Sequence, residues 1–149
     1  MKKILLVMTM MLVSACCAAG VGDKEQVQAA FAEWRTALSS GNPESIVALY
    51  EADAVLLATL ADKPITNQEE RLKYFTTLTA KPELSATVNE EFVRMLDADN
   101  AVISGIYTFR FKQKGRVVAV PARFTFVYEY QDGRWMIVEH HSSKLPGMK

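Results

Sequence analysis

The chain has 149 residues, 50% of them hydrophobic, with 17 Lys and Arg against 17 Asp and Glu. That is enough chain for one domain with a sizeable core and too little for two. The balanced charge, with no dense Lys/Arg block, gives no reason to look for a nucleic-acid partner.

Residues 1–19 have the order of a signal peptide: Lys2 and Lys3, then the apolar run "ILLVMTMMLV", then the small residues of "SACCAAG". The run is shorter than the roughly 20 apolar residues a membrane-spanning helix needs. Val13-Ser14-Ala15-Cys16 resembles the lipobox of bacterial lipoproteins, which implies cleavage before Cys16 and lipidation of that cysteine. Cleavage after Ala19 is the other reading, and it yields a soluble periplasmic or secreted protein. Either cut removes Lys2 and Lys3 and no acidic residue, so 15 basic residues face 17 acidic ones and the net charge is 15 − 17 = −2. Cys16 and Cys17 are the only cysteines, so the folded domain is expected to have no internal disulfide, no cysteine-based zinc site and no thiol nucleophile.

Residues 23–149 read as a single domain. Val27, Ala30, Phe31, Trp34 and Leu38 recur at helical spacing, and Gly41 supplies a stop. Asn42-Pro43 looks like an N-cap and first residue of a short second helix carrying Ile46, Leu49 and Tyr50. "ADAVLLATL" reads as a buried strand, and Thr66-x-x-Glu69 as a capping box opening a third helix with Leu72, Phe75 and Leu78 inward. After Pro82 the pattern turns to β, with strands expected near 84–96, 101–112, 116–131 and 134–142. Helices first and antiparallel strands afterwards give an α+β domain, its helices on one face of a curved sheet.

Asp132-Gly133 between apolar runs is the strongest hairpin signal, because a type I′ turn needs positive φ at both central residues. With Gln131 facing Arg134 and regular pairing beyond, Phe126 faces Glu139, Thr125 faces His140 and Phe124 faces His141. Alternation then puts Phe124, Phe126, Tyr128, Tyr130, Trp135, Ile137, Glu139 and His141 on one face. Arg123, Thr125, Val127, Met136, Val138, His140 and Ser142 fall on the other. Neighbouring strand histidines point apart and cannot chelate one ion together, and no third ligand stands at a recognisable spacing, so neither a metal nor a cofactor is expected. Glu139 and His141, two apart on one face, are the candidate catalytic acid/base pair, set against a polar rim above an aromatic core.

The hairpin "RFTFVYEYQDGRWMIVEHHSSKLP", the Trp34 helix, "LYEADAVLLATLADKP" and "AVISGIYTFRF" resemble the association (hub) domain of calcium/calmodulin-dependent protein kinase II. The similarity is closest to its stand-alone bacterial SgcJ/EcaC-type relatives, within the nuclear transport factor 2-like (SnoaL-like) superfamily. The resemblance implies a cone, a strongly bent antiparallel sheet around about three helices, with a pocket between them and self-association into a homodimer or larger homo-oligomer. It implies no kinase activity, since a Gly-rich loop, "HRD" and "DFG" are all missing. The hub's "DGKWQIVHFHRSG" lies on Asp132–Lys144, which puts its two pocket histidines on Glu139 and His141. The hub arginines fall on Ser142 and Phe126, and with them goes the implied binding of small carboxylates; Arg110 and Arg123 remain as cations.

Three classes of function stay open. One is a self-associating module that binds a small organic ligand, with Trp34, Tyr50, Tyr107, Phe126, Tyr128 and Trp135 as ligand-binding residues. A second is a SnoaL or ketosteroid-isomerase-style enzyme with Glu139 as proton-transfer base, Tyr50 or Tyr107 as oxyanion donor, and Asp53 as an alternative base or a strand cap. The third is a purely structural or partner-binding envelope protein whose cone is filled by aromatic side chains. An apolar void of ~300 Å³ or more beside Glu139 separates the first two from the third.

Overall fold

The computed structural model describes residues 23–147, so the leader and Cys16 lie outside the described residues. Helix α1 (Lys24–Ser40) opens on Asp23, whose carboxylate accepts from the Gln26 amide, and closes on Gly41 in the left-handed conformation. Helix α2 (Pro43–Val47) is one short turn capped by Asn42, and Tyr50 leaves it to begin strand β1 (Tyr50–Leu57). Helix α3 spans Gln68–Thr79. Its cap is Asn67 rather than Thr66: the Asn67 side-chain Oδ1 accepts from the Glu70 amide at 2.9 Å, one residue later than the capping box predicted.

Four long strands follow: β2 (Ser85–Met95), β3 (Asn100–Gln113), β4 (Arg116–Gln131) and β5 (Arg134–Lys144). The turn at Asp132-Gly133 has φ values of 49° and 85°, the left-handed pair that a type I′ turn demands. The sheet order is β1-β5-β4-β3-β2, antiparallel throughout except that β1 runs parallel to β5. This is the expected α+β cone, with helices on the inner side of one five-stranded bent sheet.

Two irregularities bend the sheet. In β2 the register shifts between Val88 and Glu90, where Gly105 of β3 lies so close that a methyl group there would overlap the Glu90 carbonyl. In β5, Tyr128 faces Ile137 but Val127 faces Glu139, so Val138 is an extra residue. From Arg134 to Ile137 the pairing is the one predicted. Beyond Val138 every partner moves by one, and Phe126 faces His140 instead of Glu139, Thr125 facing His141. A one-residue bulge reverses the face of everything after it, so Glu139 and His141 point outward and His140 and Ser142 point inward.

The core is aromatic. Phe31 and Trp34 of α1 pack on Phe124 and Phe126 of β4, with ring centroids 4.8 Å apart for Phe31–Phe124 and 5.0 Å for Trp34–Phe126. Tyr107 of β3 continues the cluster against Phe124 at 4.8 Å. Such rings bury large apolar areas at low entropic cost, and edge-on and offset contacts add to that burial.

Candidate functional site

The bulge at Val138 decides which polar groups reach the interior. His140 is 3% exposed, stacked on Phe126 at 3.8 Å between centroids and met edge-on by Trp34. Its Nδ1 lies 2.8 Å from the Tyr50 hydroxyl, which accepts from Trp34 Nε1 at 2.9 Å. Burial pulls the His140 pKa down to about 3, with the nearby His141 adding to the shift, so the ring is neutral at physiological pH. Burial likewise raises the Tyr50 hydroxyl well above its ordinary value, the Trp34 hydrogen bond opposing it in part.

Tyr50 is held from behind by Arg71, a fully buried residue of α3. The six residues of β1 from Tyr50 to Val55 span only three of β5, Ile137 to Glu139, and this irregular stretch exposes carbonyls that have no ladder partner. Arg71 answers them: Nη1 donates to Glu51 O at 2.9 Å and Nη2 to Ala54 O at 2.7 Å. The guanidinium carbon sits 5.1 Å from the Tyr50 ring centroid, a cation–π contact. Burial lowers the Arg71 pKa from its ordinary value.

Two residues further along β5, Ser142 Oγ accepts from the Tyr107 hydroxyl at 2.7 Å and lies 2.9 Å from Thr59 Oγ1. Desolvation pushes the Tyr107 hydroxyl far above its usual range. Between these two polar clusters lies a partly enclosed chamber of about 130 Å³, with His140, Ser142, Trp34 and Tyr107 in its wall beside Leu56, Phe75, Leu78, Leu84, Phe109 and Ala122. Tyr74 also lines it, its hydroxyl pushed up to about 12 by burial. Leu60, Tyr74, Leu78 and Lys81 are shared with an outer groove of about 420 Å³, which places the mouth there.

Of the residues predicted to bind ligand, Trp34 and Tyr107 line the chamber. Tyr50 and Phe126 stand behind His140, while Tyr128 and Trp135 are buried elsewhere, Trp135 donating to Gln26 near the hairpin turn. Glu139 and His141 are exposed on the outer face and neither lines this chamber, His141 bordering instead a separate open groove with Asp62 and Lys63, so the two do not form a pocket acid/base pair. Asp53 is exposed as well, and no carboxylate belongs to the chamber wall. Proton transfer inside this chamber therefore has no carboxylate base in its wall; the carboxylates Asp62 and Glu70 line the outer groove instead. The chamber falls below the ~300 Å³ where drug-sized pockets begin, yet it is close to the ~150 Å³ that accepts benzene in an apolar cavity. Sequence reasoning missed His140, Ser142, Thr59 and Arg71; a buried Arg on α3 gave no signal beyond its place one residue before Leu72. No group of three or more His, Cys, Asp or Glu side chains placed to hold a metal occurs among the described residues.

A family model, the calcium/calmodulin-dependent protein kinase II association domain, matches residues 23–146. The chain belongs to this association-domain family. An association domain of that family from Xanthomonas campestris is 41% identical over 85% of this chain and 91% of its own, with a TM-score of 0.81. The hub homology domain from Chlamydomonas reinhardtii is 29% identical, covering 81% of this chain and 97% of its own, with a TM-score of 0.72. A protein described as a dehydratase of the NTF2-like family, from Streptomyces avermitilis, is 16% identical over 81% and 95% at a TM-score of 0.73, which is a likeness of fold. No curated protein matches. The association-domain match and these neighbours agree with the cone that the resemblance implied.

Proposed function

We propose that this chain is an exported association module that pairs with a second copy of itself through the outer face of its sheet and holds a small organic ligand in its chamber. The observation that carries the pairing is the outer face itself. Arg94, Val102, Val127 and Glu139 form one row across four strands, and Phe92, Ser104, Thr125 and His141 form the next. Phe92 is 62% exposed, although it is a large apolar side chain in the middle of a strand. In an isologous contact the same patch meets itself, so a patch with an apolar middle and both signs of charge, Arg94 and Arg123 against Glu139, suits a two-fold partner. Glu139 and His141, nominated by the sequence for chemistry, belong to this contact.

The test is the mass of residues 20–149 in solution. Light scattering at high concentration is expected to give a dimer or larger assembly, and Val127→Glu to give a monomer with unchanged folding; a wild-type monomer overturns the pairing. The export reading rests on the leader, and its anchor on Cys16. Cys16→Ser is expected to move the protein from the membrane fraction to the soluble periplasmic fraction, and continued partitioning with membranes would remove the lipid anchor.

A further inference from the structure

We propose that the chamber selects an uncharged molecule of about one ring in size that presents a hydrogen-bond acceptor, such as a carbonyl oxygen, to the Nε2–H of His140. This rests on the reading of the chamber as a ligand site and names what that site takes.

The buried side-chain polar atoms without a protein partner, among the described residues, are Arg35 Nε, Arg71 Nε, Tyr128 Oη and His140 Nε2. Of these four residues only His140 belongs to the chamber wall. Three other polar groups of the wall are closed on one another, since Ser142 is bonded to both Tyr107 and Thr59, and Tyr74 is half-buried at the mouth shared with the outer groove.

The hydrogen-bond chain fixes which proton the imidazole carries. Trp34 Nε1–H can only donate, so the Tyr50 oxygen accepts from it. The Tyr50 proton is then used by donating to His140 Nδ1 at 2.8 Å, and a neutral ring carries its own proton on Nε2. A buried N–H with no acceptor is costly, and the chamber is where an acceptor from outside the chain can come from.

Charge and size complete the argument. The wall holds no carboxylate and one cation, Lys81, which lies at the mouth with its Nζ 4.8 Å from the Phe111 ring centroid. An anion carried past it to His140 would be desolvated without a counter-charge. The volume of about 130 Å³ admits one small ring.

Three probes built on one six-membered ring separate the possibilities on residues 20–149 labelled with nitrogen-15: cyclohexanone, methylenecyclohexane, which matches it in size and lacks the acceptor, and the slightly larger anion cyclohexanecarboxylate. Cyclohexanone is expected to bind at least ten-fold more tightly than either of the others and to shift the His140 Nε2–H resonance. His140→Phe, which keeps the ring and removes the donor, is expected to abolish that ten-fold difference; the wild-type resonance decides the matter even where the variant does not fold. Equal binding of methylenecyclohexane with an unmoved resonance overturns acceptor selection while leaving a ligand chamber. Preference for the carboxylate overturns neutrality. Binding of none of the three, with Nε2 bonded to water alone, overturns both this proposal and the ligand site beneath it.

Discussion

The two halves of β5 follow the same alternation rule and put opposite kinds of residue inside. From Arg134 to Ile137, Trp135 and Ile137 face the core, as a regular hairpin requires. After Val138, the inward positions pass to His140 and Ser142, and the outward ones to Glu139 and His141. The first half builds a core and the second equips a chamber. One inserted residue, with no change in strand direction, separates them. Polar residues adjacent in sequence thus acquire unrelated environments: His140 is sealed among Phe126, Trp34 and Tyr50, while His141 stands in the outer face.

The sharpest way to break this contrast is to place a charge at each neighbouring histidine. His140→Asp buries a carboxylate with no cation beside it and is expected to cost about 3–5 kcal/mol, whereas His141→Asp on the outer face should stay within about 0.5 kcal/mol for the monomer. Urea unfolding of the two variants measures both, and equal costs would mean that the two sites are not distinct.

Acidification probes the same difference without mutation. The His140 pKa is lowered in the fold, to about 3, from an unfolded value near 6.5. Between those values the unfolded chain binds a proton that the folded chain refuses, so stability is complete above pH 6.5 and falls as the pH drops toward 3. One proton corresponds to about 1.4 kcal/mol per pH unit. Wild type minus His140→Phe should show that slope across the window, and His141→Phe should leave it in place. Smaller still is the effect of Tyr50→Phe, which removes the hydroxyl between Trp34 Nε1 and His140 Nδ1 and is expected to cost about 2 kcal/mol in thermal or urea unfolding.

The same contrast explains what the sequence could disclose. Asp132-Gly133, Gly41, Asn42-Pro43 and the helical spacing of Phe31 and Trp34 act through local conformation, and each element they announced is present. The bulge is not local in that sense. Val138 is a β-branched residue in an apolar run, with no glycine or proline to mark it, and its position is set by how β5 must bend to pair with β4 on one side and β1 on the other. Regular alternation therefore sent Glu139 and His141 inward. Arg71 was unreadable for a related reason: its partners are carbonyls of Glu51 and Ala54, orphaned by the irregular β1–β5 pairing, and carbonyls carry no sequence signature.

That parallel pairing also bears on the order in which the protein can assemble. Tyr50 meets Ile137, and Leu49 O accepts from the Ile137 amide at 2.9 Å, so β1 gains its neighbour from the last strand of the domain. Contacts between such distant parts of a chain form slowly, because a long loop must close before they are rewarded. A chain still emerging from a ribosome or a translocation pore, with residues beyond Gly133 not yet free, has no partner for β1 and no His140 to complete the wall. The apolar side of β1 and the part of the core that β5 closes stay uncovered until the C-terminus arrives, which makes this the interval when a chaperone would be needed most.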